Sequence, residues 1–436
     1  MFMVISTVFS KFDILKLIFY GLENVLRGNT EVFLPMESKR SDRRISDFPD
    51  MYPETWIRLI EKADIYTSKI ANSIKNFFRK RVNDIANDLK EKGFIKRKHF
   101  KRILNEDRIV SYGVDSSRGR ILRYMGYVLV PVSAAYVKIC LLKENENSIR
   151  VDASRPYIIA DIPSPPIDGV DPSVAMLLAE LEMFKKELEV LKKLGSGAEK
   201  ESMILIDGPI IDPPNAKRDE VKRYLEKRRA AISALLKKGI NVVGFVKRIQ
   251  GRTVLNYLQS KFKLRINDIP ESIRNDWSFI NTILGNIAYR LHYAVLKKKI
   301  EEEDVIYVFY TYPPIEEEDI NYNSVFKSHG VNIYSIYMLT LDKSRVRRHV
   351  ARVDIATMET LNEKFVEEKI IRNIALLYMS GLRYPLPIEL AHAVCRIPKT
   401  SATYLLKEVM TRSIAKTVGE ETKEIAPILD IVTSLM

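Results

Sequence analysis

Cysteine is nearly absent: Cys140 and Cys395 are the only two in 436 residues. That excludes a disulfide framework and a four-thiolate zinc site, and it suits the reducing cytoplasm. Zinc-finger spacing is missing, as are a Walker-type phosphate loop and the glycine fingerprint of dinucleotide sites, so ATP hydrolysis by this chain is disfavoured. Long apolar runs are missing too. Residues 1–34 are rich in Phe, Ile and Leu, but Lys11, Asp13 and Lys16 interrupt the run before it reaches the roughly 20 residues a membrane span needs. No basic start precedes that apolar part, so an amphipathic helix is expected there rather than a secretory signal. No repeat or low-complexity tract occurs.

Positive charge is in surplus. Lys and Arg number 70 against 56 Asp and Glu, for a net charge of +14, which favours a polyanionic partner. Basic residues gather at 39–44, 78–81, 92–102 and 345–349. An apolar share of 46% and a charged share of 29% are those of a globular protein with a large core.

The pattern predicts helices over 52–104, an N-terminal arm. Residues 108–114 carry β-branched and aromatic side chains at strand density, and Asp115 follows at the strand end, ahead of Ser116, Ser117 and Gly119. Two more strand-like runs, 120–131 and 132–142, suggest an antiparallel meander that ends in a polar turn at 143–147. Prolines then punctuate 156–172. A helix is expected over 173–194, stopped by Gly195-Ser196-Gly197, with Leu177, Leu178, Leu181, Phe184, Leu188 and Leu191 as its core stripe. The apolar run Met203-Ile204-Leu205-Ile206 ends at Asp207-Gly208-Pro209, a buried strand of the kind found in parallel sheets. A basic helix over 217–238 and a strand over 241–246 come next.

Three strands, helix, strand, helix, strand is the order of a ribonuclease-H-like core: α/β, a mixed sheet, here with helical additions at both ends. A further helix at 272–299, strands at 305–312, 331–341 and 350–355, and closing helices complete the chain. We expect an arm over 1–104, a core domain over 105–400 and a helical segment over 401–436.

Asp115 and Asp207, at two strand ends, can share a hard divalent cation such as Mg²⁺ or Mn²⁺, and a pair of such ions serves phosphodiester hydrolysis. The helix between them offers Glu180, Glu182, Glu187 and Glu189. Glu180 and Glu182 flank the leucine stripe on opposite sides, and Glu182 is preferred as the third acid. Tyr384 and His392 form another pair: histidine binds metal or carries a proton, and tyrosine hydrogen-bonds phosphate. Lys247 and Arg248, just after a strand, are placed to grip a phosphate.

These stretches resemble the NurA family, archaeal and bacterial nucleases of DNA double-strand-break processing. The likeness runs from about residue 108 to about residue 397. It rests on Val114-Asp115-Ser116-Ser117, Ile206-Asp207-Gly208-Pro209, Val243-Gly244-Phe245-Val246-Lys247, Arg352-Val353-Asp354, and Tyr384-Pro385 followed by Ala391-His392. The resemblance implies a toroidal, Mn²⁺-dependent homodimer that degrades DNA 5′ to 3′, cuts single strands and works with the hexameric HerA translocase. It implies active-site positions at Asp115, a helix glutamate, Asp207, Tyr384 and His392, with Asp354 at an often acidic position of no firm role. A non-catalytic nucleic-acid-binding scaffold and an RNA-directed nuclease are the alternatives.

Overall fold

The computed structural model describes residues 53–124, 127–145, 148–164, 172–211, 218–247, 249, 251–265, 267, 269–298, 305–316, 330–342, 345–346, 350–378 and 382–418. The expected helix over 1–34 lies outside them. The chain divides into two compact units, Met1–Lys69 and Ile70–Met436. Within the first, the described residues 53–69 are the start of helix α1 (Pro53–Lys80).

The second unit is built on a twelve-stranded mixed sheet. Its main path comprises β1 (Ile95–Lys101), β2 (Arg108–Arg118), β5 (Val132–Asn145), β6 (Ser148–Ala153), β8 (Met203–Ile206), β9 (Asn241–Val246), β10 (Val305–Thr311), β12 (Asn332–Asp342) and β14 (Ala351–Thr357). Across the sheet they lie in the order β1-β10-β12-β14-β9-β8-β2-β5-β6, with β7 (Tyr157–Asp161) paired to β5, and β11 (Ile315–Glu316) and β13 (Arg345–Val346) paired to β12. Strand β8 is parallel to both neighbours, β2 and β9, whereas β2 and β5 are antiparallel. This is the mixed, ribonuclease-H-like sheet expected.

Alternation along β2 decides which helix meets which residue. Val110, Tyr112 and Val114 point to one face, where they share a core with Leu181, Leu188 and Leu191 of α3 (Pro172–Gly197) and Val221, Leu225 and Ile232 of α4 (Asp219–Lys237). Ile109 points to the other face, where Val137 and Ile139 of β5 pack with Ile370 and Ile374 of the helical stretch 363–377 and with Ile388 and Ala391 of a short helix, Leu386–Cys395. A third core lies toward the β1 edge, around Phe309, Tyr337 and Leu339 and helices α2 (Val82–Glu91), α5 (Thr253–Phe262) and α6 (Asp276–Lys298). The 363–377 stretch (α7) contains a π-helical turn, Val366–Ile371. The 386–395 helix is α8, and Lys399–Val418 is α9.

Three expectations need correction. The predicted all-helical arm gives way at 95–101 to β1, which pairs with β10 as an edge strand. Its sequence Ile-Lys-Arg-Lys-His-Phe-Lys buries only Ile95 fully, and charge on an edge strand discourages pairing with foreign strands. The run 120–131 splits into β3 (Leu122–Tyr124) and β4 (Tyr127–Leu129), which pair with each other away from the main sheet. The meander is therefore β2-β5-β6. Finally, β2 continues to Arg118, so Asp115 sits inside a strand rather than at its end.

Candidate metal centre

Three sequence-predicted residues come together: ligand atoms of Asp115, Asp207 and His392 all lie within 4.8 Å of one another. Each is placed by a local device. Asp115, buried, is opposite Ala135 in the β2–β5 ladder, and its Oδ1 accepts from the Ser116 backbone N–H at 2.7 Å. Asp207 follows β8 directly, with its own N–H donating to Val114 O at 2.8 Å. The turn then requires glycine, because Gly208 has φ of 142°. His392 rides on α8, whose Pro387 occupies the first turn, where its missing N–H costs nothing. Glu389 accepts from Tyr384 N–H at 2.9 Å, tying the helix start as a capping residue does. At the other end Ser133 Oγ donates to Cys395 O, and Ile397 N–H donates to Ser117 Oγ at 3.1 Å.

Helix α8 reaches β2 only because residue 113 is glycine. A Cβ there would lie 1.9 Å from Pro387 O and 2.2 Å from its carbonyl carbon. The close approach brings His392 Nδ1 to 2.8 Å from Asp115 Oδ2 and 3.8 Å from Asp207 Oδ2.

The charges are strongly coupled. Burial first, then the neighbouring Asp115 carboxylate, pushes Asp207 up to about 6, against the pull of Lys247 and His392. His392 is raised chiefly by its hydrogen bond to Asp115. Lys247 Nζ lies 2.5 Å from Asp207 Oδ2 and 4.3 Å from the Tyr384 ring centre. Tyr384 also has Arg383 at 5.3 Å and packs edge-on against Phe245. Arg383 is a cation at the site that sequence reasoning missed. Arg248 lies outside the described residues.

Glu182 is not brought to the centre. Its carboxylate takes the exposed Lys185 at 2.5 Å, one turn along α3. The acid of α3 that bonds to β2 next to Asp115 is Glu187, buried, whose Oε2 accepts from Ser116 Oγ at 2.8 Å; it lies outside the group of three. The sequence carried a signal for Glu187, since it falls within the apolar stripe between Phe184 and Leu188, where an acid needs a partner. That partner is Arg228, in the buried stripe of α4. Asp354 is fully buried, held by Ser335 Oγ at 2.8 Å and by Arg352 through Nε at 2.9 Å and Nη2 at 3.0 Å. It braces β14 and β12 and is not part of the cation-binding group.

Two carboxylates and an imidazole at this spacing fit a divalent cation with a preference for oxygen and nitrogen donors, such as Mn²⁺ or Mg²⁺. A cation would also relieve the repulsion that lifts Asp207. Cation binding must displace the Asp207 proton and the proton of a ligating His392, so affinity is expected to rise with pH through about 6 and to keep rising above the ordinary histidine value, because His392 too is held upward. Without metal the sign for folding is opposite. The folded state holds this proton more tightly than the open chain, so through Asp207 stability falls as pH rises from 3.8 to about 6. Manganese titration calorimetry at stepped pH, beside melting curves in chelator, checks both.

A ribonuclease-H-like sheet carrying an acid–acid–histidine group has the donors that a metal-dependent nuclease uses. The NurA domain profile matches residues 110–397, and the chain belongs to the NurA family of nucleases. Among solved structures, the NurA nuclease from Sulfolobus solfataricus is 16% identical and superposes with a TM-score of 0.50, covering 84% of this chain and 99% of that one. A second NurA structure is 14% identical with a TM-score of 0.35, covering 79% of this chain and 93% of that one. The catalytic domain of human endonuclease V is 11% identical with a TM-score of 0.26, covering 77% and 98%. No curated protein matches the chain.

Proposed function

We propose that this chain is a divalent-metal-dependent DNA nuclease that degrades DNA 5′ to 3′ and cuts single strands during double-strand-break processing. The observation that carries this is the convergence of Asp115, Asp207 and His392 from three distant parts of the chain. Asp115 and Asp207, with Glu187 in the role first given to Glu182, hold one or two cations, Mn²⁺ by preference and Mg²⁺ as the substitute. A cation held there supplies positive charge to the phosphoryl oxygens and eases ionisation of water. His392 completes the ligand set or carries a proton. Lys247 and Arg383 flank the Tyr384 ring and grip the strand by its phosphates, and the Tyr384 hydroxyl donates to a phosphate oxygen. Arg248, two residues beyond the end of β9, belongs with them.

Family membership supports the wider setting we assign: a homodimer in the cytoplasm, partnered by a HerA-type hexameric ATPase, with residues 105–400 as the nuclease domain between an N-terminal arm and a C-terminal helical segment. Among the described residues no helix is long and apolar enough to cross a membrane.

The test is cleavage of end-labelled single- and double-stranded DNA and RNA with Mn²⁺, Mg²⁺ or chelator. DNA degraded with Mn²⁺ and intact in chelator is the expected result. Binding without cleavage under either metal identifies a scaffold, and preferential loss of RNA rejects the DNA assignment.

Glu182 and Glu187 of α3 separate cleanly. Glu187→Gln is expected to slow cleavage roughly a hundredfold, about 3 kcal/mol of lost cation-mediated stabilisation. Glu182→Ala, on a side chain whose partner is an exposed lysine, leaves the rate within about twofold, the equivalent of about 0.5 kcal/mol. Single-turnover rates at saturating Mn²⁺ decide between them, and the reverse ranking would restore Glu182.

A further inference from the structure

Arg228 is fully buried on the inward face of α4. Its guanidinium reaches three separate segments. Nε donates to Ile210 O at 2.7 Å and Nη2 to Pro209 O at 3.4 Å, both in the turn that begins with Asp207. Nη1 donates to Glu187 Oε1 on α3 at 2.6 Å and to the Tyr224 hydroxyl on its own helix at 2.8 Å. The other oxygen of Glu187 accepts from Ser116 Oγ, and the Ser116 N–H donates to Asp115. One planar cation is thus hydrogen-bonded to one acid-bearing segment, grips the turn of the second, and is joined through a single serine to the third.

From this network we infer that Arg228 is a positioning residue for the metal centre, setting the spacing between Glu187 and the Asp207 turn so that both serve the same cation. The inference rests on the nuclease reading above and adds to it a residue that touches neither metal nor DNA. The geometry explains why arginine is used. Glu187 lies within an apolar stripe and would bury an unpaired charge without a cation. A lysine in its place delivers charge from a single point, whereas the guanidinium fork satisfies a carboxylate and two backbone carbonyls in fixed directions. Glu187 offers Oε1 to Arg228 and Oε2 to Ser116 Oγ, so one carboxylate links α4 to β2.

Outer partners of metal ligands are worth roughly 10–100-fold in metal affinity or activity, and that is the size expected here. The experiment compares the full-length wild type with Arg228→Met and Arg228→Lys by Mn²⁺ titration calorimetry without DNA, by single-turnover DNA cleavage against Mn²⁺ concentration, and by thermal melting. Arg228→Met is expected to weaken Mn²⁺ binding by roughly 10–100-fold and to stay slow at saturating Mn²⁺. Arg228→Lys is expected to recover less than half of that loss on a logarithmic scale. A variant that melts lower yet binds Mn²⁺ as the wild type does, and reaches the wild-type rate, would show a merely structural arginine and overturn the inference. If Arg228→Met does not fold, Arg228→Lys decides: unchanged Mn²⁺ affinity overturns the inference, and a weakened one upholds it. A wild type that binds Mn²⁺ without cleaving DNA removes the nuclease reading alone, because the calorimetry still reports on the cation site. A wild type that neither binds nor cleaves removes both.

Discussion

Asp115→Asn is expected to slow metal-dependent DNA cleavage by roughly a thousandfold, the equivalent of about 4 kcal/mol, without unfolding the protein. Asparagine has nearly the shape of aspartate and keeps an oxygen to accept from Ser116 N–H, but it removes the charge that a shared cation requires. The fold has no reason to suffer. Asp115 and Asp207 repel each other, and that repulsion is part of what lifts Asp207 to about 6. Removing one charge should lower the Asp207 value toward the ordinary carboxylate range, so the pH dependence of residual Mn²⁺ binding moves to lower pH. Single-turnover rates, melting curves and the pH profile of metal binding together make the check. A folded Asp115→Asn protein that cleaves at the wild-type rate would remove the centre from the chemistry.

The second large effect comes from a residue with no side chain. Gly113→Ala places a methyl group where the Pro387 carbonyl already stands, and neither partner is a flexible side chain that can step aside. Overpacking ordinarily costs about 1–3 kcal/mol. With backbone meeting backbone, a loss at or above the upper end of that range is expected, together with a shift of α8 that draws His392 away from Asp115. The control is Gly285→Ala in α6, where the added methyl meets nothing within 4 Å and alanine should gain roughly 0.5–1 kcal/mol of helix stability. Melting temperatures of the two variants should move in opposite directions, and cleavage should fail only in the first.

Much of this site was legible because its residues interrupt patterns. Asp115 and Asp207 each terminate an apolar β-type run ahead of turn residues, and His392 lies in an apolar helix after a proline-marked start. The buried acid of α3 was passed over for a physical reason. Glu182 was chosen for lying beside the leucine stripe, whereas an acid lying within it, Glu187, is tolerated when a buried arginine from another helix arrives to meet it. Periodicity shows one helix at a time, and Arg228 is 41 positions away. The order helix, strand, helix, strand from α3 to β9 was equally clear, since each of these elements carries its own apolar period. Strand β1 was not, because only Ile95 is fully buried on it and its lysines fit a solvated helix as well as an edge strand. The separation of the 122–129 hairpin from the main sheet depends on what β5 pairs with instead, which local composition does not encode.

Asp115 and His392 stand 277 positions apart. During synthesis both aspartates have left the ribosome long before α8 exists, and the histidine can dock on β2 only after nearly all of the sheet has been made. A chain cut short before α8 therefore lacks one of the three side chains that meet at the centre.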